Sequence, residues 1–153
     1  MLVSFLIEYL IQNMRNTSNI GNIGQAAVIN KFIELGVNVY TPFGDGYVVD
    51  LIAEWNGILH KIQVKTTEYN KDGSMTWCLG KQEGFHGTKV KYTSEEVDYF
   101  ALYCIETKTL CLIPFKDFKD QLTICIKSDN FNGTKYKTMH FESDFLFEKI
   151  INK

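Results

Sequence analysis

An Asn-Gly pair between two apolar runs constrains this chain more than any other feature. Asn56-Gly57 separates "YVVDLIAEW" (Tyr47 to Trp55) from "ILHKIQVKT" (Ile58 to Thr66). Asn-Gly supplies the two consecutive left-handed residues that a two-residue turn requires, so the flanking runs are expected to pair as an antiparallel hairpin. Counting back from the turn sets Asp50 roughly across from Gln63. Side chains alternate along a strand, which puts Gln63 and Lys65 on one face and Val64 on the other. A carboxylate, an amide and an ammonium are thereby expected to converge at one end of an otherwise apolar hairpin.

The rest of the chain reads as a frame for that hairpin. "MLVSFLIEYLIQNMRN" carries Leu2, Phe5, Leu6, Tyr9 and Leu10 at helical spacing, so residues 1–16 read as an amphipathic helical extension covered by the domain or by a second copy. It has no basic start or cleavage site and is too short to cross a bilayer, so no membrane partner is expected. "NTSNIGNIG" reads as a turn-rich connector. "QAAVINKFIELG" predicts a helix with an apolar stripe through Ala27, Val28, Ile29, Phe32, Ile33 and Leu35, stopping at Gly36. "VNVYTP" predicts a short strand, and residues 67–92 one strand at "MTWCLG" within exposed loop. "VDYFALYCI" and "TLCLIPF" predict a hairpin through Glu106 to Lys108, "KDFKD" a helical turn, "LTICIK" a strand and "FESDFLFEKIIN" a closing helix. The order predicts one domain over 1–153, α+β or α/β, with a mixed β-sheet flanked by helices.

Length and composition narrow the function classes. At 153 residues and 45% hydrophobic content, a core can form without disulfides or metals. Cys78, Cys104, Cys111 and Cys125 lack CxxC spacing and read as reduced core thiols of a cytoplasmic protein. With 16 Lys and Arg against 18 Asp and Glu, the chain is not one that coats nucleic acid with its whole surface. Six lysines lie between Lys61 and Lys91 against Glu68, Asp72 and Glu83. Of these, Lys61, Lys81, Lys89 and Lys91 are candidates for phosphate contacts, a solvated face of mixed charge being the alternative. His60 and His86 read as surface or phosphate-facing, and Trp77, Phe85 and Tyr92 as core residues or base-stacking platforms. No GxxxxGK[ST], GxGxxG or GxSxG pattern occurs, which sets aside nucleotide-fingerprint and nucleophile-elbow chemistry.

Asp50 and the Gln63 carbonyl are hard oxygen donors suited to Mg²⁺ or Mn²⁺, and a lysine beside such an ion can orient water or offset charge on a phosphorane-like transition state. "PFGDGYVVDLI" followed by "HKIQVKTT" resembles the PD-(D/E)xK nuclease superfamily, in the branch with QxK in place of ExK, which includes homing endonucleases; archaeal-type Holliday-junction resolvases share the superfamily. The resemblance covers about Ile23 to Thr67, and "YTSEEVDYF" with the strand "TLCLIPF" resembles the segments that follow. It implies a restriction-endonuclease-like αβββαβ core and hydrolysis of duplex or branched DNA with Mg²⁺ (or Mn²⁺). It also implies metal ligation at Asp50, Gln63 and Val64, catalysis by Asp50, Gln63 and Lys65, and a homodimer or homotetramer. Gln25 stands where the family often has a helix glutamate, which makes it a further candidate catalytic residue. Asp50 is then the sole carboxylate of the site unless Asp45 of "FGDG" turns inward; taken by themselves, Gln25 reads as an ordinary helix residue and Asp45, between two glycines, as a turn residue. No helix is legible after the third core strand. A nuclease-derived binding module for DNA or protein is the second reading, and an RNA-cleaving relative the third.

Overall fold

The computed structural model describes residues 17–44, 46–69, 73–83 and 87–152. The extension over 1–16, Asp45, Phe85 and His86 lie outside them. In chain order, α1 (Thr17–Glu34) and β1 (Asn38–Tyr40) precede the hairpin of β2 (Leu51–Trp55) and β3 (Ile58–Thr67). Then come β4 (Ser74–Cys78), a small hairpin of β5 (Lys81–Glu83) and β6 (Thr88–Val90), β7 (Tyr99–Cys104) and β8 (Leu110–Pro114). The chain closes with α2 (Phe115–Phe118), β9 (Thr123–Lys127), β10 (His140–Phe141), a 3-10 turn (Glu142–Phe145) and α3 (Phe147–Ile151).

The hairpin forms as its turn dictates. Asn56 and Gly57 both take positive φ, 53° and 73°, the pair a type I′ turn needs, and the register runs from Trp55↔Ile58 to Leu51↔Ile62. Around it, a five-stranded mixed sheet has the order β1-β2-β3-β7-β8, with β3 and β7 parallel and the other neighbours antiparallel. A second sheet has the order β10-β9-β4. The architecture is therefore α+β.

Alternation on the central strands builds two cores. Ile62, Val64, Ala101 and Leu112 face α1 and α3, packing with Val28, Phe32, Phe147 and Ile150. Phe100, Leu102, Cys104, Cys111 and Ile113 face the second sheet, packing with Met75, Trp77, Ile124 and Ile126. Gln63 and Lys65 share the second-sheet face by the same alternation. α1 and α3 are joined by the ion pair of Lys31 and Glu148 at 2.5 Å.

Several boundaries differ from the sequence expectation. α1 starts at Thr17, so "NTSNIGNIG" is helix and not a connector. Gly24, Val28 and Phe32 form its buried row at four-residue spacing, and Gly24 is needed for close approach: a Cβ there would lie 1.9 Å from Thr66 Oγ1. Ile33 faces solvent, and the helix ends as expected at Gly36, whose φ of +72° accompanies Val37 N–H donating to the Phe32 carbonyl at 2.9 Å. β2 begins at Leu51 and not Tyr47. β1 is only three residues long, and Gly44 and Gly46 at φ 93° and 89° turn the preceding chain away from the ladder. Lys81 to Val90 includes a hairpin where loop was expected. Leu146, with ψ 138°, divides the expected closing helix into a 3-10 turn and α3. Cys104 and Cys111 are core thiols, with burial pushing Cys111 up to about 12, whereas Cys78 and Cys125 are exposed on the outer face of the second sheet. Among the described residues no helix joins β3 to β7. Strands make that crossover, which is why no helical period is legible there. No helix among them is long and apolar enough to cross a membrane.

Candidate active site

Asp50 sits one residue before β2, where the ladder changes character. Its own N–H still donates to the Ile62 carbonyl at 3.1 Å, one residue out of step with the Leu51↔Ile62 register. The next partner on that edge of β3 is a side chain: Val64 N–H donates to Asp50 Oδ2 at 2.7 Å. Gln63 Nε2 donates to the same oxygen at 2.5 Å. β2 thus stops because its carboxylate takes over the role of backbone, and the Val64 edge beyond it is released from strand pairing.

α1 closes the other side. Gln25 Nε2 donates to the Asp50 main-chain carbonyl at 3.1 Å, which fixes the backbone that carries the carboxylate. Gly21, Asn22, Gln25, Asp50, Gln63 and Val64 line one cavity of about 210 Å³. A neighbouring polar cavity of about 300 Å³ runs from Gln25 and Asp50 along Pro42, Gly44, Gly46, Tyr47 and Val49. The structure therefore brings Asp50, Gln63, Val64 and Gln25 together. Gly21 and Asn22 were not expected there, because their segment reads as a connector. The usable signal was Gly21 and Gln25 at four-residue spacing, one helical row.

Lys65 occupies the adjoining space on the Gln63 face. Its Nζ donates to the Gly80 carbonyl and to the Tyr92 hydroxyl, both at 3.1 Å. Burial pushes the Lys65 pKa down, with Asp50 opposing the shift, and burial raises that of Asp50, with Val64 N–H, Lys65 and Gln63 opposing it. Desolvation thus outweighs the partners at both charges. Burial, then the Asp50 and Glu96 charges, hold Tyr92 neutral by raising it to about 12.

One atom of the cluster is left over. Gln63 uses its Nε2 on Asp50, and its Oε1 is buried with no hydrogen-bond partner. A buried carbonyl without a donor is unfavourable by about 1–3 kcal/mol, and such orphans call for a missing group. The Asp50 carboxylate and the amide of Gln63, whose oxygen is buried and unpartnered, border one cavity beside the released edge of Val64, and such donors fit a hard divalent cation. Among the described residues no three His, Cys, Asp or Glu side chains are placed to hold a metal ion together, and Asp50 is the one carboxylate among the residues that line this cavity, beside neutral oxygens.

The candidate phosphate-binding lysines divide. Lys81 pairs with Glu96, Lys61 Nζ donates to the Glu95 carbonyl, and Lys91 lies 4.0 Å from Asp120 at the surface. Lys89 is exposed, and its charge acts on Lys65. His60 departs from the surface reading. It stacks on Trp55 at 3.7 Å and meets the Tyr99 edge at 5.3 Å, burial lowers its pKa, and its Nε2 is buried. Trp77 and Tyr92 lie in the core.

A sequence profile described as PD-(D/E)XK endonuclease matches residues 15–147. No curated protein matches the chain significantly. Among solved structures, the chain is similar to a bacterial homing endonuclease, I-Ssp6803I, at 22% identity over 85% of this chain and 88% of that one, with a TM-score of 0.71. That likeness is one of fold.

Proposed function

The chain belongs to the PD-(D/E)XK endonuclease family, and on that premise we propose that it is a metal-dependent DNA endonuclease whose centre is Asp50, Gln63, Val64 and Lys65. The observation that carries the reading is the convergence of Asp50, Gln63, Val64 and Gln25 on one cavity, with the Gln63 Oε1 buried and without a hydrogen-bond partner.

The residues that would hold Mg²⁺ or Mn²⁺ are Asp50 through its carboxylate, Gln63 through Oε1 and Val64 through its carbonyl. Bound there, the ion supplies Lewis acidity toward a phosphodiester and a water of lowered pKa. The chain's own groups do the rest. Gln63 Nε2 and Val64 N–H orient the Asp50 carboxylate, and Gln25 anchors its backbone. Lys65 brings an ammonium, carried on the Gln63 face of β3, to a non-bridging phosphate oxygen or the attacking water, where it offsets developing charge. Gln25 takes the place of a second carboxylate, so the DNA phosphate itself completes the set of anionic donors.

Duplex or branched DNA is the substrate in this reading, with Lys89 and the paired Lys81, Lys91 and Lys61 along the flanking backbone. Cutting both strands of a duplex requires two centres, which a homodimer or homotetramer supplies. The protein acts in the cytoplasm. The test is cleavage of supercoiled plasmid and of a synthetic four-way junction with Mg²⁺ and with Mn²⁺, comparing the wild type with Asp50→Ala and Lys65→Ala. Metal-dependent cutting that both variants lose is expected. A wild type that binds DNA without cutting, and that the variants match, would sink the enzyme in favour of a binding module, a reading that the single carboxylate also supports.

A further inference from the structure

Lys65 is held by two neutral acceptors whose positions are themselves secured. A lysine stem has four rotatable bonds, so an ammonium that must act at one point needs restraint. Two of its three N–H donors go to the Gly80 carbonyl and the Tyr92 hydroxyl at 3.1 Å each, leaving one for a reacting group. Gly80 is clamped: a Cβ there would meet the Val90 carbonyl and Leu122 Cδ2 at 3.1 Å. Tyr92 is clamped as well. The residue is 8% exposed, and its ring packs edge-on to Phe100 at 5.6 Å. Lys81 Nζ lies 5.6 Å from the ring centroid and is itself tied to Glu96, which accepts the Thr93 N–H at 2.9 Å. Both acceptors come from the strand-built crossover between β3 and β7, so that segment has a role besides connection.

We propose that Tyr92 is the positioning residue for Lys65: its hydroxyl oxygen, with the Gly80 carbonyl, takes two N–H groups and aims the third at the scissile phosphate. The proposal rests on the endonuclease reading. Its test is Tyr92→Phe in the full chain, which keeps the packed ring and removes only the acceptor. On a DNA that the wild type cuts, kcat is expected to fall roughly 10- to 100-fold, with KM and the thermal midpoint at wild-type values. In parallel, a ¹H–¹⁵N spectrum of the lysine ammonium groups, with Lys65 assigned by its loss in Lys65→Ala, is expected to hold a sharp Lys65 signal in the wild type that broadens away in Tyr92→Phe. A Lys65 signal that Tyr92→Phe leaves unaltered overturns the proposal, as does a fall in kcat matched by a fall in thermal midpoint. The spectrum needs no cleavage. A wild type that cuts nothing therefore defeats the endonuclease reading alone, and the ammonium signal still decides whether Tyr92 holds Lys65.

Discussion

Replacing Gly24 by Ala is expected to destabilise this protein, although Gly24 lies inside α1, where alanine is ordinarily the better residue by about 1 kcal/mol. The added Cβ would sit 1.9 Å from Thr66 Oγ1, 3.1 Å from Thr66 Cβ and 3.3 Å from Thr66 Cγ2. Thr66 is β-branched, and rotating it exchanges one substituent for another against the helix. Relief requires α1 and β3 to separate, and overpacking of this kind is unfavourable by about 1–3 kcal/mol. Set against the propensity gain, and taking the upper part of that range for so close a contact, the net loss is about 1–2 kcal/mol. That corresponds to roughly 2–8 °C in Tm for a domain of this size. Urea and thermal unfolding of the wild type, Gly24→Ala, Thr66→Ala and the double variant form the cycle. Thr66 Oγ1 is buried without a partner, so Thr66→Ala alone should change little, and the double variant should recover most of the loss. Gln25 moves with Gly24, so Gly24→Ala should also weaken cleavage. A Gly24→Ala protein as stable as the wild type or more so, or a double variant no better than the single, refutes the close-approach argument.

Other expectations follow from the charges and the turn. Burial raises the Asp50 pKa above its ordinary value, so without metal the wild type should lose stability as pH rises from the carboxylate range through the raised value. Asp50→Asn cannot ionise and should lack that fall, giving a higher neutral-pH Tm by calorimetry with cleavage abolished. Millimolar Mg²⁺ or Mn²⁺ should raise the wild-type Tm by mass action but leave Asp50→Ala unmoved, and equal shifts in both would remove the ion from this cavity. Gln25→Glu should lower the metal-free Tm, because it exchanges the donor to the Asp50 carbonyl for a second carboxylate, while tightening Mg²⁺ in titration calorimetry. Gly57→Ala should be unfavourable by about 1 kcal/mol in urea unfolding, since φ of +73° admits glycine most readily.

What could be read without coordinates depends on local rules. Asn56-Gly57 determines the turn through its positive φ values, the turn determines the Leu51↔Ile62 register and sets Asp50 beside Gln63, and the two-residue period separates Gln63 and Lys65 from Val64. Each step involves neighbours in the chain or across one tight hairpin, so the strand pattern suffices. The rest was decided by contacts between distant segments. Gly24 looks like a helix breaker until Thr66, on another element, requires a residue without a side chain there. The crossover looks like loop because its short strands bury little on their own. The acceptors that hold Lys65 stand 15 and 27 residues away from it. Asn22 lines the cavity because α1 starts at Thr17 and carries it on the helix three residues before Gln25. Desolvation, which moves the Asp50 and Lys65 protons, is a property of the packed interior and exists in no single segment.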